Sequence, residues 1–307
     1  MAAPLNNAPR TGMNVGAYQV GPGTMHVGVA IGQQNLSPAT SPVPGPAPGA
    51  DRRADLGVIT ILPEETRAVV QMLKRASGYR THPLPDGAQA HEADVAIPGG
   101  GLRLAAVQAL DRGPMSAVVA YHRIREHYAP PLVALVGIAG GIRAGVAIGD
   151  VVIADSVIFY DSRRESPEGT HRRGRHYPVA PEVGHRLNAF QQVHGATLPD
   201  RTGGRFQVYV GPIGSGDAVI TDERSPIRRW LAAYHEKVLA VETEAGGIAQ
   251  ACHEEVRVGH RPPAWVVVRG ISDTADAAKG HQYHQLASDR AALVLETLLP
   301  YLRWPER

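Results

Sequence analysis

The sequence contains one cysteine, Cys252, among 307 residues. A single thiol excludes an internal disulfide framework, and its place in an Ala/Gly-rich stretch predicts a buried, unreactive side chain. No apolar run approaches the roughly 18 residues of a membrane span, and the N-terminus lacks the charged start and hydrophobic block of a secretory signal. These absences favour a soluble protein of the reducing cytoplasm, without a membrane partner.

An excess of either charge is also lacking. The 31 Lys and Arg side chains nearly balance the 29 Asp and Glu side chains, for a formal net charge of +2 at pH 7. Such a small charge does not predict binding to nucleic acid or to an anionic membrane. The 14 histidines show no HExxH, CxxC or comparable spacing, and GxSxG is absent. We therefore expect neither a metal site nor a serine nucleophile.

The first part of the chain differs in composition from the rest. Residues 1–54 are rich in Gly, Pro, Ala, Asn and Gln. Within them, residues 37–50 read SPATSPVPGPAPGA, which cannot sustain a helix or a sheet and predicts an extended linker. We therefore divide the chain into an N-terminal tail with its Pro-rich linker, 1–54, and a folded domain, 55–307.

Residues 13–34 of the tail show a strand-like pattern. Val27, Val29 and Ile31 alternate with small residues, as in two short strands joined at residues 21–23, Gly-Pro-Gly. The segment resembles the amyloid-type signalling motifs of bacterial immune effectors, which pair with a like motif on a sensor protein. That resemblance implies recruitment by a sensor protein, and the alternative is a disordered tail with an accidental alternation.

Residues 238–276 read as strand, helix and strand, with acidic residues where the strands end. Glu242 and Glu244 close the first strand, and Asp273 follows the second. Because the carboxyl ends of parallel strands meet in one crevice, these carboxylates are expected to converge there. The alternative is that acids at strand ends cap the following segment, as Asp273 or Ser272 is able to do.

A second glycine-rich stretch reads PLVALVGIAGGIRAG. It predicts a buried strand over residues 132–136 that ends in a glycine turn at 137–141, followed by another strand at 150–154. The turn fits neither the dinucleotide fingerprint nor the P-loop. Its glycines let the backbone approach a ligand closely.

Two separated segments, VETEAGGIAQAC and VVVRGISDTAD, resemble the paired signature of the nucleoside phosphorylase type I superfamily, in particular its methylthioadenosine/S-adenosylhomocysteine nucleosidase branch. The GIAGG stretch and SGDAVI, residues 215–220, resemble two further motifs of that family. The resemblance covers about residues 55–305. It implies an α/β fold, a three-layer sandwich with a mixed twisted central sheet, and no cofactor. It also implies a homo-oligomer with active sites near subunit contacts.

The resemblance also implies roles for individual residues. Asp273 is the expected general acid toward the purine, Glu65 is expected to activate water, and Glu244 to accept hydrogen bonds from the ribose hydroxyls. Glu65 also lies in the first turn of a predicted helix, where a carboxylate complements the helix dipole without any catalytic role. The other positions implied to contact the substrate are Ile138, Ala139, Gly140, Val219, Ile220, Glu242, Thr243 and Ser272.

The chain departs from the family pattern at three of these positions. Ile138 stands where phosphorylases of the superfamily usually carry a phosphate-binding arginine, which favours water over phosphate as the nucleophile. Val219 replaces an aromatic residue that would stack on the base. Thr243 replaces a methionine, so packing against the ribose is altered.

Residues 162–205 form a long, basic insertion. Its arginines suit a clamp on the phosphates of a nucleotide substrate, because guanidinium groups bind phosphate oxygens bidentately. The alternative is a solvated surface loop. The candidate phosphate-binding residues are Arg112, Arg172, Arg173 and Arg175.

We therefore expect a purine nucleosidase that releases adenine from a nucleoside or nucleotide. Three alternatives stay open at the level of sequence. The first is a phosphorylase, in which phosphate replaces water. The second is an immune or signalling effector that degrades ATP after recruitment through the tail. The third, a catalytically dead ligand-binding domain, is disfavoured because Glu65, Glu244 and Asp273 are all present.

Overall fold

A computed structural model describes residues 16–19, 25–28, 52–255, 263–277 and 279–303. The chain forms two units, residues 1–45 and residues 46–307.

In the first unit, strands β1 (Gly16–Gln19) and β2 (Met25–Gly28) pair antiparallel, with Gly16 opposite Gly28. The predicted pair of short strands is therefore present. Val29 and Ile31, which belong to the predicted alternation, lie outside the described residues.

The second unit begins with strand β3 (Leu56–Thr60) and mixes strands with helices along its length. The remaining strands are β4 (Ser77–Pro83), β5 (Gln89–Ile97), β6 (Gly100–Gln108), β7 (Leu132–Gly141), β8 (Val151–Phe159), β9 (Arg163–Ser166), β10 (Gly169–Arg172), β11 (Arg175–Pro178), β12 (Thr197–Pro199), β13 (Arg205–Ser215), β14 (Ala240–Glu242) and β15 (Ala264–Asp273). The helices are α1 (Pro63–Leu73), α2 (Pro114–Tyr128), α3 (Pro181–His194), α4 (Pro226–Tyr234), α5 (Ala245–Glu254) and α6 (His284–Leu298).

Proline sets the start of four of these helices. Pro63, Pro114, Pro181 and Pro226 are the first residues of α1 to α4. The first helical position tolerates proline because its missing N–H has no partner inside the helix, and its fixed φ suits the helix. In α4, Ser225 adds a side-chain cap by accepting a hydrogen bond from the N–H of Ile227.

Eleven of these strands form one mixed sheet, as the sequence predicts, and β9 and β10 pair as a separate two-stranded sheet. The order of the mixed sheet is β11-β8-β13-β14-β7-β3-β6-β5-β4, with β12 added beside β13. β15 pairs parallel with β7 and antiparallel with β8. The pairings of β7, β15, β8, β13 and β14 therefore run in a closed circuit. β7 and β15 lie in this circuit and are apolar along almost their whole length, as strands buried on both faces are.

The helices pack in two groups, α1 with α6 and α2 with α5. Cys252 of α5 is buried, and this burial raises the pKa of its thiol to about 12, which fits the predicted unreactive side chain. Among the described residues, no helix is both long and apolar enough to span a bilayer.

Two local predictions are wrong. Residues 137–141 continue β7 as a strand instead of forming a turn, because β15 and β14 supply ladder partners as far as Gly141. Residues 162–205 are not a loop throughout, because they contain the β9–β10 hairpin, β11, α3 and β12. The basic segment itself is the hairpin, in which Arg172 pairs with Arg163.

Candidate functional site

A cavity of about 330 Å³ opens where β7, β14 and β15 end and α1 begins. Its wall carries most of the residues that the sequence singles out, although they come from segments far apart in the chain. The predicted site residues on the wall are Glu65, Arg112, Ile138, Ala139, Gly140, Val219, Ile220, Glu242, Thr243, Glu244 and Ser272.

Glu65 is fixed at the start of α1. Its Oε2 accepts hydrogen bonds from the N–H groups of Ile61, at 2.8 Å, and Leu62, at 2.9 Å. Its Oε1 accepts one from the N–H of Ile138 in β7, at 2.9 Å. The predicted helix-start position of Glu65 is confirmed, and the bond to Ile138 shows that its carboxylate also reaches the central strand.

The acidic strand ends converge, but not for the reason expected from a parallel sheet. β15 is parallel to β7 and places Asp273 opposite Gly140. β14 is antiparallel to β7 and places Val241 opposite the same Gly140. Glu242 comes next to this segment because β14 is short and runs in the opposite direction. A register shift between Ile271 and Asp273 bends the end of β15 at Ser272.

Arg269 in β15 links the carboxylates, and sequence reasoning missed it. Its Nη2 contacts Oε2 of Glu242 and lies 2.9 Å from Oε2 of Glu244, and its Nη1 lies 3.8 Å from Oε1 of Glu65. The arginine side chain is 1% exposed. The available signal was one cation inside the apolar run VVVRGIS, since a charge is buried only where it finds partners.

A glycine in β7 makes room for this ion cluster. A Cβ built at Gly137 would overlap both Glu65 and Arg269. Glycine is therefore required here for close packing of side chains against the strand. The sequence predicted that a ligand comes close to the backbone of this segment. The residues that line the cavity are its neighbours Ile138, Ala139 and Gly140.

The two glutamates after β14 have different surroundings. Glu242 accepts hydrogen bonds from the N–H groups of Glu244, at 3.1 Å, and Ala245, at 2.9 Å, which begin α5. It therefore caps the helix, a role that the sequence offered for Ser272 or Asp273. Glu244 accepts a hydrogen bond from the N–H of Gly113 at 3.0 Å and another from Thr243 Oγ1.

Asp273 lies just behind the cavity wall and is 3% exposed. Its Oδ1 accepts a hydrogen bond from the N–H of Ala275 at 2.9 Å. Its Oδ2 accepts bonds from Ser272 Oγ at 2.8 Å and from Lys279 Nζ at 2.9 Å. Ser272 and Lys279 both line the cavity, whereas Asp273 does not. No sequence pattern indicated Lys279.

Burial and charge act against each other in this cluster. Burial raises the pKa of Glu65, and the nearby Arg269 limits that rise. Burial alone would lower the pKa of Arg269, but Glu242, Glu244 and Glu65 together raise it, so the guanidinium stays charged. The site therefore combines a fixed buried cation with a carboxyl group that takes up a proton more readily than an exposed glutamate.

The four candidate phosphate-binding arginines divide into two places. Arg112 lines the cavity, whereas Arg172, Arg173 and Arg175 do not. Arg172 Nη1 donates to the carbonyl oxygen of Tyr160 at 3.1 Å and to Oδ1 of Asp161 at 3.5 Å. Arg172 is thus already paired within its own segment.

Residues 55–300 match the family model described as phosphorylase superfamily. A 5'-methylthioadenosine/S-adenosylhomocysteine nucleosidase from Mycobacterium bovis is 34% identical over 188 residues, which cover 54% of this chain and 69% of that protein. The ATP nucleosidase Cap17 of Escherichia coli is 27% identical over 209 residues, 62% of this chain but only 40% of that protein. The crystal structure of S-adenosylhomocysteine nucleosidase from Streptococcus pyogenes in complex with 5-methylthiotubericidin superposes with a TM-score of 0.62 at 24% identity, over 82% of this chain and 98% of that one.

Proposed function

The chain belongs to the phosphorylase superfamily, and we infer that it is a purine nucleosidase. It hydrolyses the N-glycosidic bond of an adenine nucleoside or nucleotide and releases free adenine and the ribosyl product. Two of its relatives are nucleosidases that differ in whether their substrate carries phosphates. Cleavage of a nucleoside or nucleotide is therefore common to both relatives, and the group attached to the ribose is what differs between their substrates.

One observation carries this proposal. Glu65 and Asp273 meet the same short segment of β7, since Glu65 accepts a hydrogen bond from Ile138 and Asp273 lies opposite Gly140. Cleavage of an N-glycosidic bond needs one group that protonates the leaving base and another that deprotonates the attacking water. Two carboxyl groups beside one strand segment are suited to act as this acid and this base.

In the proposed mechanism, Asp273 donates a proton to the purine as the bond to the ribose breaks. Glu65 takes a proton from the attacking water, and its firm attachment to Ile61, Leu62 and Ile138 fixes the side chain for this step. Glu244 accepts hydrogen bonds from the ribose hydroxyls and faces the positive charge that develops on the sugar.

Arg269 supports this arrangement without a direct role toward the substrate. Its guanidinium neutralises part of the negative charge of Glu65, Glu242 and Glu244, which would otherwise repel one another in a buried site. We assign it the role of a positioning residue that limits the rise in the pKa of Glu65 and keeps Glu244 oriented.

The experiment that tests the function is chromatographic detection of adenine. Methylthioadenosine, S-adenosylhomocysteine, adenosine, AMP and ATP are incubated with the full chain, each with and without inorganic phosphate. We expect adenine release that does not depend on phosphate, with a free ribosyl product. Release that requires phosphate and yields ribose 1-phosphate would establish a phosphorylase instead.

Assembly and recruitment belong to the same proposal. We propose a homo-oligomer, as is common in the superfamily, and recruitment of the enzyme to a sensor protein through residues 13–34. The antiparallel pairing of Gly16–Gln19 with Met25–Gly28 supports the second point, because a strand pair is the element that stacks with a like motif.

A further inference from the structure

Lys279 covers the proposed general acid. Its ammonium lies 2.9 Å from Oδ2 of Asp273, and Lys279 lines the cavity while Asp273 does not. In this contact the ammonium donates a hydrogen bond to Oδ2 of Asp273. For Asp273 to carry a proton to a purine in the cavity, Lys279 must leave this oxygen. The proposed acid role of Asp273 at this oxygen therefore needs a movement of Lys279.

The cavity wall offers a guanidinium and an imidazole besides the ammonium of Lys279. Arg112 and His281 line the same cavity. Within the described ranges, no acidic side chain or carbonyl oxygen accepts a hydrogen bond from the Arg112 guanidinium. The basic hairpin is different, because Arg163 is bound to Glu165 and Arg172 to Tyr160 and Asp161. Among the described residues, the guanidinium of Arg112 therefore lines the cavity without a partner of the kind that Arg163 and Arg172 have.

Arg112 lies on the ribose side of the cavity in the proposed binding mode. The next residue, Gly113, donates its N–H to Glu244, the expected acceptor of the ribose hydroxyls. A group attached to the ribose therefore comes near Arg112. The buried carboxylates do not compete for this arginine, because Arg269 is already in contact with Glu242 and Glu244.

We propose that Arg112, Lys279 and His281 form a subsite for the phosphate of a nucleoside 5′-phosphate, and that this phosphate draws Lys279 away from Asp273. The inference rests on the proposed function and specifies its substrate class. Guanidinium and ammonium groups are the side chains that bind phosphate oxygens most strongly. An uncharged nucleoside leaves Lys279 on Asp273, so the same movement that binds a nucleotide uncovers the acid.

The test compares adenosine with AMP and ATP in the full chain and in the variants Arg112→Gln and Lys279→Gln. The wild type is expected to cleave the nucleotides with the higher kcat/KM. Arg112→Gln lowers kcat/KM for nucleotides roughly tenfold to a hundredfold more than it lowers kcat/KM for adenosine, the range for loss of a charge-assisted hydrogen bond.

Lys279→Gln gives the more specific result. It lowers kcat/KM for the nucleotides but raises kcat for adenosine, because Asp273 loses the ammonium that occupied it. If Lys279 had only a structural role, the variant would lower both kcat/KM for the nucleotides and kcat for adenosine. Lys279→Arg keeps the nucleotide preference, and Arg229→Gln, which removes an exposed cation of α4 outside the cavity, changes neither substrate.

Two results would overturn the subsite. In the first, the variants lower adenosine and nucleotide cleavage equally. In the second, inorganic phosphate stimulates adenosine cleavage and is incorporated as ribose 1-phosphate, which would assign the cations to a free phosphate ion.

A chain that releases no adenine from any substrate would contradict the proposed function alone. The subsite is then tested by equilibrium dialysis of AMP and adenosine against Asp273→Asn, in which tighter binding of AMP supports the subsite and equal binding removes it.

Discussion

Arg269 Nη1 lies 3.8 Å from Oε1 of Glu65, and both side chains are 1% exposed. Glu65, Glu242 and Glu244 all depend on this arginine, since without Arg269 they would be buried carboxylates with no cation beside them. The pair connects the middle of β15 to the start of α1. Its loss is therefore expected to affect stability as well as catalysis.

The substitution Arg269→Met tests this dependence. We expect it to lower the free energy of unfolding by roughly 3–5 kcal/mol, the usual cost of removing one partner of a buried ion pair. Glu65 then loses the cation that limits the rise of its pKa in the folded state. Protonation of Glu65 relieves part of the defect at low pH, so the loss of stability is greater at pH 8 than at pH 5.

Urea unfolding at the two pH values measures this effect. Arg229→Gln, at an exposed position, serves as the control. An equal loss of stability at both pH values would argue that Arg269 acts through packing and not through its charge.

The pH dependence of activity reports on Glu65. Burial raises its pKa above the ordinary value of 4.5, and a base must be ionised to accept a proton. The acidic limb of kcat/KM is therefore expected above pH 4.5, with activity falling as Glu65 is protonated. Protonated Glu65 adds to the free energy of unfolding below pH 4.5. This contribution is lost as pH rises through the raised pKa of Glu65 in the folded state.

Glu65→Gln is expected to remove most of the activity together with this limb. Glu126→Gln, an exposed position on α2, should leave the profile as it is. If the limb persisted in residual Glu65→Gln activity at the same pH, it would belong to another group.

The variant Asp273→Asn tests the proposed acid. Asparagine retains an oxygen for the N–H of Ala275 but has no proton to donate as an acid. We expect turnover to fall by roughly two to four orders of magnitude with the fold preserved. Adenine release and the melting temperature are measured together, with the exposed Asp289→Asn as control. Near-normal turnover in Asp273→Asn would rule out this mechanism.

A synthetic peptide of residues 13–34 tests the recruitment hypothesis. This segment contains little charge and includes the strand pair Gly16–Gln19 and Met25–Gly28, and Val27, Val29 and Ile31 alternate with small residues along the chain. Such segments stack into fibrils when many copies meet. We expect thioflavin-positive fibrils, and a peptide with valines 27 and 29 changed to aspartate should stay dispersed. A soluble, featureless peptide of the natural sequence would remove this support for recruitment.

Several features of the site were predictable from the sequence because they depend on local order along the chain. The segment of β14, α5 and β15 was predicted as strand, helix and strand, and Glu244 and Ser272 do line one cavity with Glu65. The strand-like extension through residues 137–141 was not predictable, because glycines favour turns unless neighbouring strands hold them in a ladder.

Arg269 and Lys279 show the limit of this reasoning most clearly. Arg269 has partners from two distant segments, Glu65 at the start of α1 and Glu242 and Glu244 after β14, and the spacing along the chain does not show that they meet. Lys279 acquires its contact with Asp273 from the path of the backbone after β15, including the positive φ of Ala275.

By itself, the sequence determined the family, the mixed α/β fold and the acidic character of the site, because these follow from apolar periodicity and short contiguous motifs. Only the tertiary structure decided which charges neutralise one another and which remain available to a substrate. Coulomb interactions depend on distance and burial, and both are set by how β7, β14 and β15 pair. For that reason Arg112 faces the cavity, whereas Arg172, equally basic in the sequence, is bound to Asp161 outside it.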